Sequence, residues 1–124
     1  MKEQIKHLIE QKKLIVNALQ KTMLPTDPHQ DQIDQAFAGA LDVLQENHMK
    51  DDLAQEAKKI DEKLSEEITH CISQQKAFLT ELKDKQKPKS GFSTDYRDFN
   101  WIILQIQMRI NRELRAYDKL LKKI

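Results

Sequence analysis

Only two glycines, Gly39 and Gly91, occur in 124 residues. A β-sandwich or barrel must turn after every short strand, and a phosphate cradle needs its glycines clustered. Both are excluded, and what remains is a chain patterned for helices.

At ~100° per residue the apolar side chains fall into stripes. Ile5, Leu8, Ile9, Ile15, Val16, Leu19 and Met23 share one face of a first helix. Lys12 stands in that stripe, where its stem can lie on apolar surface while the ammonium reaches water. Leu24-Pro25 ends the helix, because a residue before proline is pushed out of the α region. Asp27-Pro28-His29-Gln30 reads as a restart, with Asp27 capping and Pro28 in the first turn. The second stripe is Ile33, Phe37, Ala40, Leu41 and Leu44. Gly39 lies off it, where a small residue costs helix stability but no core.

From Leu44 to Leu53 the apolar phase jumps by about half a turn, which predicts a break at Asn47-His48-Met49-Lys50. Asp51 or Asp52 then opens a long third helix. Leu53, Ala57, Ile60, Leu64, Ile68, Cys71, Gln75, Phe78 and Leu82 hold its inner face, and it ends in a lysine-rich loop through Lys89 to Gly91. Ser93, Thr94 or Asp95 can cap the fourth helix. There Tyr96, Ile103, Ile110, Tyr117 and Ile124 recur every seven residues, with Phe99, Ile106 and Leu120 between them and Glu113 as the one intruder. That is a coiled-coil-like heptad.

The expected fold is therefore all-α: a single domain over 1–124 forming a four-helix up-down bundle, with helices at about 2–24, 28–46, 52–86 and 95–123. The third and fourth helices are the longer pair, so their hairpin is expected to project from the bundle or to pair with another chain. A chain of this size buries roughly two-thirds of its unfolded surface, enough for its own core.

Several functions drop out on composition. One cysteine allows neither an internal disulfide nor a cysteine-based zinc site. A formal net charge of +1 gives no global pull toward nucleic acid or anionic lipid. The longest wholly apolar run, Trp101 to Leu104, is far short of the ~20 residues of a spanning helix. Charges interrupt the N-terminal residues, so no export segment is read. A cytoplasmic protein is expected, and the abundant Lys, Gln and Ile suggest a bacterial one. Charge alternates by segment: residues 1–24 carry five Lys against two Glu, and 88–124 carry eight basic residues against four acidic, whereas 25–50 and 51–87 are net acidic. This predicts that the first and last helices pair with the second and third.

The strongest anomaly lies on the fourth helix. Trp101, Leu104 and Met108 fall opposite the heptad seam, making the stretch apolar on two faces. A helix greasy on two faces is either an inner element, here one flanked by the first and third helices, or one that offers a docking patch. In the second case Trp101 is the anchor and Arg97 and Arg112 form its rim. The same side continues as Arg112, Arg115, Lys119 and Lys122, a face that could meet an acidic protein or a phosphate backbone but is read in preference as a solvated one at the negative end of the helix dipole.

Glu67-Ile68-Thr69-His70 matches the Glu-x-x-His spacing of metal pairs in helical bundles, but no second such motif exists. His7, His29 and His48 sit near helix ends or loops. Cys71 reads as a small core residue, and Gln75 either as a buried amide that fixes register in the seam or, the preferred reading, as an amide at its margin bonded to water. The expected function is a non-enzymatic protein–protein interaction module without a cofactor: an adaptor, chaperone-like binder or antagonist. Its partner would be another protein, or a second copy through the fourth helix, rather than a membrane or nucleic acid. The alternative is a metal-binding bundle enzyme using Glu67 and His70 with other His or Glu residues.

Overall fold

The computed structural model describes residues 1–46, 53–86 and 96–124. Helix makes up 84% of them and no strand occurs among them. Five helices pack together: α1 (Lys2–Gln20), α2 (Gln30–Glu46), α3 (Ala54–Lys58), α4 (Glu62–Gln86) and α5 (Tyr96–Leu121). The long hairpin partners are α4 and α5, of 25 and 26 residues. α5 also touches α1 and α2, α2 touches α1 and α4, and α3 lies on α4. The core is one continuous apolar cluster drawn from all five helices.

Among the described residues three helix boundaries differ from the sequence reading, each for a local reason. α1 stops at Gln20 rather than at 24. From there the chain tightens, with Thr22 donating through both its amide and its hydroxyl to the Leu19 carbonyl. Leu24 is then held in a two-way clasp by the Asn100 side chain, which accepts from its amide at 2.8 Å and donates to its carbonyl at 2.9 Å.

Asp27 is not the cap of α2. Its φ is +52°, a left-handed backbone at odds with the extended conformation of an N-cap. The cap position belongs to His29, whose carbonyl accepts from Ile33. The His29 amide donates back to the Gln32 side chain at 2.8 Å, the returning arm of a capping box.

The expected long helix over 52–86 is two helices. The chain leaves α3 at Lys59 and Ile60, and Asp61 caps α4 by accepting from the amides of Lys63 and Leu64. The Ser65 hydroxyl reaches back 11 residues to the Ala54 carbonyl at 2.6 Å. In an unbroken helix those residues would stand about 16 Å apart along the axis. α3 therefore folds against the start of α4. Asp61 also meets Lys123 at 2.6 Å, and that bond, with its backbone donors, holds the Asp61 carboxyl below the usual range. The expected break at 47–50 and the caps at Asp51, Asp52, Ser93, Thr94 and Asp95 lie outside the described residues.

The heptad reading of α5 holds at Phe99, Ile103, Ile106, Ile110, Tyr117 and Leu120, all buried. Tyr96 is half-buried and Ile124 is exposed. The buried arc is wider than two seam positions, since Ile102, Gln107, Leu114 and Ala116 are buried as well. Phe99 meets Phe37 of α2, ring centroids 4.7 Å apart. α5 lies on α4 and α1 on α2, as the charge argument expects, but α1 and α5 also lie side by side although both belong to basic segments. The Lys12–Glu113 pair and the hydrogen bonds that join Asn100 and Gln107 of α5 to Leu24, Val16 and Gln20 fix that contact.

Candidate functional site

Two places on α5 carry side chains that the fold alone does not require. The first is its outward face. Trp101 is 51% exposed, Leu104 45% and Met108 51%, while Ile102, Ile103 and Ile106 between them are buried. The inner position flanked by two helices, expected as one reading of these residues, is thus not where they stand. The indole packs edge-on against Phe78 of α4, centroids 5.7 Å apart and planes at 74°. The Arg109 guanidinium lies over the same ring at 5.1 Å, and Gln105 accepts a hydrogen bond from it. Such edge and cation contacts are worth about 0.5–1.5 kcal/mol each and hold one orientation. Trp101 is therefore braced on one side and open on the other.

Of the two expected rim residues, Arg97 is exposed at the head of the strip. Arg112 lies at its other end, its Nε 3.6 Å from Glu67 of α4. Phe78 and Arg109 were not singled out in the sequence. Phe78 lay in the α4 stripe and looked like core, and only its place at the stripe's edge hinted otherwise.

The second place is buried. Lys12 of α1 and Glu113 of α5 are 3% and 0% exposed, with the ammonium 3.5 Å from Glu113 Oε2. Tyr117 donates its hydroxyl to the same oxygen, and the Gln75 amide donates to Glu113 Oε1 at 2.8 Å. Two expectations are corrected here. Lys12 does not send its ammonium to water, because a carboxylate waits inside. Gln75 is not a marginal, solvated amide but a buried donor to that carboxylate. A lysine and a glutamate that each interrupt an apolar stripe are natural partners, and that coincidence was the signal to read.

Cys71 is buried on the same side of α4. Burial first, then the nearby Glu113 and Glu67 carboxylates, push its thiol pKa up. A raised pKa suits a core residue and not a nucleophile.

The Glu-x-x-His pair is not gathered into a ligand set. Glu67 turns to Arg112. His70 is exposed on an open groove of about 550 Å³ between α3 and α4, with Gln55, Lys58, Glu62, Glu66 and Thr69. His7 and His29 are exposed, and His48 lies outside the described residues. Among the described residues no group of three or more His, Cys, Asp or Glu side chains could hold a metal ion. No described helix is long and apolar enough to cross a membrane. No protein-family model, curated protein or solved structure matches the chain.

Proposed function

We propose that the chain is a four-helix up-down bundle that works as a non-enzymatic protein–protein interaction module of the cytoplasm, docking through the outward face of α5. The α4–α5 hairpin is its long arm, α3 is an appendage to α4, and Trp101 is the anchor. In that role the module serves as an adaptor, a chaperone-like binder or an antagonist.

The observation that carries this reading is the exposure of Trp101, Leu104 and Met108 together on one face of a helix whose remaining large apolar residues are almost all covered. Single exposed hydrophobes are ordinary, whereas grouped ones mark interaction surfaces. A tryptophan braced by Phe78 loses little freedom on docking, which favours affinity. Arg97 and Arg112 flank it, and Trp and Arg are the side chains most enriched among binding anchors.

The test compares wild type with Trp101→Ala as baits in lysate from the source organism, after circular dichroism has shown equal helicity. Proteins retained by wild type and lost with the variant are expected. The same set retained by both would remove Trp101 from the interface. Sedimentation of the purified chain covers the other occupant: a dimer that Trp101→Ala dissociates would make the partner a second copy.

A further inference from the structure

The side of α5 that carries the apolar strip does not end at Met108. At ~100° per residue, Arg115, Lys119 and Lys122 continue it, and all three are exposed. α1 runs antiparallel beside this half of α5, since Lys12 meets Glu113 while Leu24 meets Asn100. Val16 and Gln20 mark the side of α1 that faces α5 through Gln107. The same periodicity places Lys2, Lys6 and Lys13 next to that side, and they too are exposed. None of these six cations has an ion-pair partner among the described residues. Asp118 of α5 and Glu3 and Glu10 of α1 are the acids set among them, so the half is net cationic by three charges.

The surface is thus divided end to end. One end is apolar over Trp101 to Met108, about 10 Å, and the other is cationic for about 20 Å farther along the axis. We propose that its partner is an acidic amphipathic helix lying along α5, with two turns of apolar residues against Trp101, Leu104 and Met108 and carboxylates over the cationic half. The proposal rests on the docking reading above and names the chemistry of what docks.

Charge complementarity selects this occupant. A nucleic-acid backbone would want cations along its whole track, and Leu104 and Met108 offer a phosphate nothing. A bilayer surface would want apolar residues along the full length with cations on both flanks. The axial separation seen here matches a helix whose composition changes along its length, docked through its own face.

Trp101 is the sole tryptophan, so its emission reports on the proposed site alone. The probes are a 20-residue helical peptide with leucines in its first two turns and glutamates beyond, and the same peptide with lysine for every glutamate. Vesicles of phosphatidylserine with phosphatidylcholine and a short DNA duplex complete the set. The acidic peptide is expected to shift the emission to the blue, bind about tenfold or more tighter than the lysine form, and weaken as salt rises. Arg115→Glu/Lys119→Glu/Lys122→Glu is expected to remove that preference, and the Gln triple serves if the Glu triple loses helicity.

Equal binding of the two peptides, no binding of the acidic one, or a larger response to vesicles or DNA overturns the proposal. Lysate proteins that depend on Trp101 but ignore the charge triple would leave the docking face standing and reject the acidic helix. Loss of neither would reject the docking face itself.

Discussion

The buried carboxylate of Glu113 is the residue on which most of the interior chemistry converges. Lys12 neutralises it, and Tyr117 and Gln75 donate to it. Removing one member of a buried ion pair strands the other, so Lys12→Met is expected to cost about 3–5 kcal/mol in urea unfolding at neutral pH. Tyr117→Phe is expected to cost about 1 kcal/mol, because Glu113 keeps its other two partners. Replacing Lys12 and Glu113 together recovers only part of the first loss, since the buried Gln75 amide and the Tyr117 hydroxyl then lose Glu113 as an acceptor. Adding Gln75→Leu and Tyr117→Phe to that pair is expected to restore most of it. A quadruple variant no more stable than Lys12→Met would show that packing, not charge, sets these values.

Cys71 gives a pH dependence with a definite sign. Its folded pKa is raised by burial and nearby carboxylates, so the native state keeps the proton longer than the unfolded chain does. The contribution is intact below the unfolded thiol's value of about 8.5 and is lost as pH climbs past it. The urea midpoint of wild type is expected to fall more between pH 8 and pH 10 than that of Cys71→Ala. Parallel falls would remove the thiol as a cause.

Helix boundaries show what the sequence could and could not disclose. The stripes of α1, α2, α4 and α5 were legible because apolar spacing follows helical pitch closely. The break between α3 and α4 was not, since Leu53, Ala57, Ile60 and Leu64 keep helical spacing straight through it. A break that preserves phase leaves no mark on a periodicity count, and only Asp61, a good capping residue, signalled it. Asp27 misled for the opposite reason: a preferred cap type sat two residues before the actual cap, His29. The apolar strip on α5 was legible as an anomaly, but whether a neighbouring helix covered it was not, because coverage depends on how helices pack. In α2 the sequence and the structure agree about Gly39. A Cβ there would meet only Thr22 Cγ2 at 3.8 Å, an ordinary contact. Gly39→Ala is therefore expected to stabilise the protein by about 0.5–1 kcal/mol, read as a higher urea midpoint. A lower midpoint would mean the added methyl is not tolerated beside Thr22.

Across the whole molecule, α4 and α5 form the most extensive contact, while α1 reaches α5 through groups far apart in sequence. The Asn100 clasp on Leu24 spans 76 residues and the Lys12–Glu113 pair spans 101. Neighbouring segments meet early in folding, and distant ones must first pay a loop-closure cost. This predicts an order of assembly, with the α4–α5 hairpin formed first and the contact of the N-terminal helix with α5 made last. The same order runs backward when the native state opens. Amide hydrogens of residues 5–19 are therefore expected to exchange faster than those of 102–117, and equal protection would refute the sequence of events. Release of the Asn100 clasp together with the Lys12–Glu113 pair is then the expected step at which the first helix departs while the hairpin bearing the indole stays folded.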